Sequence, residues 1–334
     1  LANAVREEHG EEGIIIEMTG TPAPQDPTDW WHEVEVLCPG WLRESSTFHL
    51  RKRLGEFEFV QMGDRSFPRL IKWKEKEVDN LARRLNGVVY VCRLEDTEIH
   101  LPPPVYERIQ LPVAPDFDRA ALMLLSTATN ALELLTRLRQ LSDGFLYLPD
   151  GSSKRSTTPK DAALTDLLEL YEEAGRFITF CGFRESVDRA VEVSLAAGWP
   201  VLRCDGRGWS YFPLGKPEEA WGQNALGVRE PLLAMQRPGD SSDRLAFVGQ
   251  PAAGGMGQNF QGSPAICFYS NDFNNESRQQ AERRALRPGM DVRRGLKIYD
   301  LLHLPSDAHV LNRLISKQRV QLVTLDEIRG AFSR

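Results

Sequence analysis

No run of about 18 apolar residues occurs in this 334-residue chain, so nothing in it reads as a membrane-spanning helix. No basic-then-apolar start marks a secretory leader, and the chain opens at Leu1 without a methionine, which reads as a fragment or a processed chain. Cysteine is sparse. Cys38, Cys92, Cys181, Cys204 and Cys267 form no CxxC pair and have no histidine at metal-ligand spacing, which argues against a disulfide framework and a zinc site and for reduced thiols. Cys92, Cys181 and Cys267 lie in apolar runs, where cysteine acts as a small buried hydrophobe. No GxSxG turn occurs, and His9, His32, His49, His100, His303 and His309 flank no nucleophile motif, which disfavours a free-standing α/β hydrolase. Positive charge is also short overall: 41 basic residues against 47 acidic give −6, too little for indiscriminate nucleic-acid binding.

What is present is an ordinary globular composition, 41% hydrophobic and 26% charged, long enough for one large core and a smaller region beside it. The run 13–18, GIIIEM, has the β-branched content of a buried strand ending in a turn. Asp26 and Pro27 then open a helix carrying Trp30 and Trp31, which read as core residues rather than stacking platforms. A helix over 75–86 and a strand over 87–92 follow a mixed, charged stretch. Three prolines, Pro102 to Pro104, make a stiff connection to a strand (106–111) and one long helix (116–140). The polar run 149–159 reads as a linker or exposed loop. Beyond it helices and strands alternate. The strands are expected near 176–181, 200–204, 244–249, 264–269 and 296–301, with helices near 160–174, 184–197, 229–236, 275–286 and 306–330 and an irregular insert over 206–227. That alternation predicts an α/β fold with a parallel sheet covered on both faces.

Two segments point to chemistry. Ala252 to Asn259 is Gly-rich and follows an expected strand, so its backbone N–H groups are free to approach an anion, although a tight turn serving only the fold reads equally well. From Arg278 to Lys297, seven basic residues face only Glu282 and Asp291. Helical spacing puts Gln280, Arg284 and Arg287 on one side, either a solvated basic face or a phosphate-facing one.

Four segments in order make the reading specific. Met18-Thr19-Gly20-Thr21-Pro22 resembles helicase motif III, Phe177 to Phe180 motif IV, Gln250 to Gln261 (QPAAGGMGQNFQ) motif V, and Gln280 to Gly289 (QAERRALRPG) motif VI. The chain therefore resembles the C-terminal half of a superfamily 2, Swi/Snf-like DNA-dependent ATPase or helicase of phage or bacterial type. That resemblance implies a RecA-like C-terminal lobe. Residues 1–40 would end the first lobe, 41–150 would form a helical protrusion and inter-lobe linker, and 151–334 would form the second lobe. It aligns Arg287 with the arginine finger that reaches the γ-phosphate, Arg284 with the other motif VI arginine, and Gln280 with the leading glutamine. Gly255 and Gly257 match the motif V loop on the ATP side, with Gly254 and Asn259 beside them on the DNA side. Thr19 and Thr21 match the lobe-coupling motif, and Lys160 is a candidate DNA contact, as are Lys154 and Arg155. Duplex DNA, ATP and Mg²⁺ are the implied ligands, in the cytoplasm of a bacterium or phage-infected host. No GxGKT-like loop or DExH-like box occurs, so the ATPase lobe holding the phosphates and Mg²⁺ is expected upstream, and this chain alone is expected to be inactive. Arg283, Leu286, Met290 and Gln258 depart from the family's usual Asp, His, Gln and Leu. A helicase lobe reduced to a non-catalytic nucleic-acid- or partner-binding module is the alternative.

Overall fold

The computed structural model describes residues 2–10, 14–18, 26–62, 65–90, 97–127, 130–148, 150–215, 225–254 and 258–316. They fall into two compact units, one within Leu1–Glu98 and Leu314–Arg334, the other Ile99–Arg313. No described helix is long and apolar enough to cross a membrane.

The first unit contains α1 (Ala2–His9), α2 (Trp30–Leu37), α3 (Thr47–Leu54), the strands β1 (Gly55–Met62) and β2 (Arg65–Trp73), and α4 (Glu75–Leu85). The turn before α2 begins as expected: Asp26 accepts from the Thr28 amide and exchanges a reciprocal capping bond with Asp29. Trp30 and Val34 bury against Leu50 and Leu54 of α3 and Leu81 and Leu85 of α4. Glu44 ties these helices together, with Arg53 at 2.6 Å and Arg84 at 2.8 Å. Burial acts to raise its pKa, but the two guanidinium groups outweigh that and hold the carboxyl below its usual range. Two expectations fail here. Residues 14–18 are not a strand: no ladder pairs with them, and Ile14 and Ile16 are 82% and 78% exposed. Residues 87–90 form a turn and irregular chain, while 91–96 lie outside the described residues.

The second unit starts with β3 (Val105–Gln110), α5 (Pro115–Thr127), α6 (Ala131–Ser142) and a short hairpin of β4 (Phe145–Tyr147) and β5 (Ser153–Arg155). The expected single helix is two because Asn130 caps a new one, its side chain accepting from the Glu133 amide. The hairpin occupies much of the expected linker. The alternating part then runs α7 (Pro159–Leu170), β6 (Arg176–Phe180), α8 (Arg184–Ala196), β7 (Val201–Asp205), β8 (Gly208–Phe212), α9 (Ala225–Ala234), β9 (Leu245–Gly249), α10 (Pro251–Gly254), β10 (Ala265–Phe268), α11 (Asn275–Ala285) and β11 (Lys297–Leu302). A last helix, α12, covers 305–316.

Seven strands form one sheet in the order β3-β11-β10-β6-β9-β7-β8, parallel throughout except for β7 with β8. Neighbouring residues of β6 alternate between two cores. Phe177 packs with Leu164, Leu168 and Val187 of α7 and α8, whereas Ile178 and Phe180 pack with Val228, Ala281 and Ala285 of α9 and α11. Both faces are thus covered, which is why the strands read as continuous apolar runs rather than alternating ones. Gly262, before β10, donates to the Met235 carbonyl, and a Cβ there would collide with the Arg237 carbonyl. Gly262→Ala is expected to cost about 2 kcal/mol, read as an earlier urea midpoint with an unchanged slope; an unchanged midpoint would mean that this contact yields freely.

A candidate anion site at the end of the arginine helix

Helix α11 has two working faces. Its inner face is fixed by Arg278, whose guanidinium pairs with Asp300 of β11 at 2.6 Å and with Glu282 at 2.9 Å. The same group lies 4.0 Å from the Phe268 ring centroid and also donates to Asn271. Tyr106 of β3 donates to the other Glu282 oxygen at 2.9 Å. Burial lifts the Glu282 carboxyl above its usual range although Arg278 acts to lower it, and burial together with Glu282 pushes the Tyr106 phenol up. The strongly basic segment is thus less basic at its surface than its sequence suggests, because Arg278 is internal and neutralised.

The far end of α11 is where the motif arginines come together. The Phe260 amide donates to the Arg284 carbonyl at 2.8 Å, which holds the helix end against the chain that leads into β10. The half-buried Arg284 side chain donates to the Gln258 carbonyl at 3.3 Å, and the half-buried Arg287 donates to the Asn259 side chain. Burial first and the neighbouring Arg287 charge second lower the Arg284 pKa. Two guanidinium groups close enough to repel, set against the Gln258 carbonyl and the Asn259 side-chain oxygen, suit an anion.

Of the other residues singled out from sequence, Gln280 spends its amide on Glu276, one turn back, at 2.9 Å. Gly254 ends α10. Gly255, Gly257, Thr19 and Thr21 lie outside the described residues. Leu286 and Met290 pack with the core beneath α11, so two positions that are polar in the resembled motif serve burial here. Among the described residues no group of three or more His, Cys, Asp or Glu is placed to hold a metal ion.

Lys160 is a correction. It is fully buried, with Asp143 at 2.8 Å and Asp307 at 3.1 Å, so its ammonium cannot reach a DNA phosphate. Burial disfavours the charge, but the two carboxylates prevail and raise its pKa. Ser186 donates to Asp143, and Ser142 to Asp307, each at 2.5 Å. Arg155 is likewise engaged, by Glu185 and Glu192. Sequence reasoning also missed Arg139, which is 7% exposed and lies 4.6 Å from the Phe183 ring centroid while donating to the Asn271 carbonyl. Its only sequence signal was a basic residue on the apolar side of an amphipathic helix.

No family model matches the chain, and no curated protein matches it. Among solved structures, the C-terminal part of the Fun30 ATPase domain is similar at 15% identity with a TM-score of 0.44, over 69% of this chain and 99% of that one.

Proposed function

We propose that this chain is the second motor lobe of an ATP-dependent DNA translocase or helicase, acting with an upstream lobe that holds the ATP phosphates and Mg²⁺. The observation that carries the reading is the convergence of Arg284 and Arg287 on Gln258 and Asn259, just ahead of Phe260. The segments that resemble motif V and motif VI meet there, across 26 and 28 residues of chain at these two contacts. What these residues supply is positive charge and N–H donors for a transferring phosphoryl group, with Arg287 as the finger and Arg284 beside it. On this reading the upstream lobe would hold Mg²⁺ with the ATP phosphates, and the residues described here would contribute anion binding.

Gly254, Asn259, Thr19 and Thr21 remain the proposed DNA-side and coupling residues; Lys160 is withdrawn from that set. The test is phosphate release from ATP by the chain joined to its upstream lobe, with and without duplex DNA. Hydrolysis stimulated by DNA is expected. No hydrolysis under either condition would favour the binding module, a reading given weight by the apolar Leu286 and Met290 in motif VI.

A further inference from the structure

The chain leaves the Pro102–Pro104 stretch directly into β3, and Tyr106 is the second residue of that strand. β3 pairs in parallel with β11, Tyr106 lying opposite Ile298, and the Tyr106 hydroxyl reaches across to Glu282 on α11. From Glu282 the contacts continue to Arg278, from Arg278 to Asp300 and Asn271, and from the Asn271 carbonyl back to Arg139 of α6. Every charged member from Glu282 to Asp300 is buried. A purely apolar seam would hold α11 to the sheet at least as well, because taking charges out of water offsets most of what their pairing contributes. What the charged network adds to the packing of Ala281 and Ala285 is an angular constraint that helps fix the helix about its own axis. Directional bonds at Arg278 and Glu282, one turn apart, do so, and Arg284 and Arg287 follow on the same helix and its exit.

We infer that Tyr106, Glu282 and Arg278 form a positioning link that sets where Arg284 and Arg287 point, with the segment arriving through the proline run as its outer handle. None of the three touches a reacting atom. Tyr106 is the informative member because the residue is 51% exposed and its hydroxyl joins the network, so removing that oxygen leaves the packing in place. The apolar segment just ahead of β3 is also anchored, Leu101 packing against the same core as Ala281 and Ala285. A displacement of the connection therefore has a direct route to the arginine helix.

The test uses Tyr106→Phe and Glu282→Gln, with two readouts. The first is the arginine side-chain Nε–Hε spectrum of the ¹⁵N-labelled chain, with Arg284 and Arg287 identified from Arg284→Gln and Arg287→Gln. Tyr106→Phe is expected to shift both signals while leaving most other arginine signals in place. Unmoved Arg284 and Arg287 signals would overturn the link whether or not the motor reading holds. The second readout rests on that reading: in the chain joined to its upstream lobe, kcat for DNA-stimulated hydrolysis should fall roughly 3- to 10-fold with the KM for ATP nearly unchanged, the pattern of a group needed only at the transition state. A lower melting temperature with kcat intact would make the network structural and would also overturn the link. An inactive parent enzyme would count against the motor, and the spectrum would still decide the link.

Discussion

Replacing Arg287 with alanine in the chain joined to its upstream lobe is expected to lower DNA-stimulated ATP hydrolysis by roughly 10³- to 10⁵-fold, the range that an arginine finger contributes to phosphoryl transfer. The size follows from where the charge acts. A γ-phosphoryl group in flight spreads negative charge over its equatorial oxygens, and a fixed guanidinium in a water-poor cleft stabilises it without further reorganisation. Arg287→Lys should recover little, because an ammonium lacks the planar fork that can meet two oxygens at once. Stability should hardly change, since Arg287 is half exposed and its described side-chain hydrogen bond goes to Asn259, while its backbone bonds survive the substitution. Binding of duplex DNA should survive as well. A variant that hydrolyses ATP at the parental rate would remove Arg287 from the chemistry and with it the main support for a motor.

The second large effect is on stability. Lys160→Met leaves Asp143 and Asp307 buried without the cation that both approach, at 2.8 and 3.1 Å. Removing one partner from a buried ionic group costs about 3–5 kcal/mol, because the remaining charge stays in a medium that solvates it poorly. For a unit of this size that corresponds to a melting temperature lower by roughly 10 °C. The double variant Lys160→Met with Asp143→Asn should recover part of the loss, by removing one of the stranded charges. Calorimetry on the two variants decides the matter: a single variant as stable as the parent would show that water or a shifted proton relieves the carboxylates.

The strands β6, β9, β10 and β11 and the helices between them were legible because residues buried on both sheet faces leave continuous apolar runs that carry their own boundaries. The hairpin of β1 and β2 was not. Phe59 and Phe67 are 75% and 48% exposed, charged residues interrupt them, and Pro68 sits within β2, so no half-buried alternation marks the pair. β8 hid in a Gly- and Trp-rich stretch because an antiparallel edge strand needs only one neighbour. The apolar 14–18 run misled in the opposite direction: β-branched content is a preference for a pleated surface, and the described residues offer it none. At the candidate site, helical spacing left Arg284 and Arg287 open between a solvated face and a phosphate-facing one, and the resemblance to motif VI singled them out; Arg287 in fact lies just beyond the end of α11, while an i, i+4 pairing of Arg278 with Glu282 was there to be read. Lys160 was not readable as a buried cation, since one of its carboxylates lies across the sheet-forming half of the chain and nothing local hints at it.

The place of β3 in the sheet has a consequence for how the chain is made. Val105–Gln110 is the first strand of the sheet to leave the ribosome, yet its partner in the ladder is Lys297–Leu302, the last. The Lys160 cluster waits in the same way, because the bond from Ser142 to Asp307 spans 165 residues. Local pieces such as β6 with its flanking helices can collapse early, but closure of the domain is deferred until nearly all of it has been synthesised, a slow and non-local step. During that interval the newborn chain carries a strand without its ladder partner and a lysine with only one of its two carboxylates, and a truncation anywhere before β11 would leave it in that state permanently.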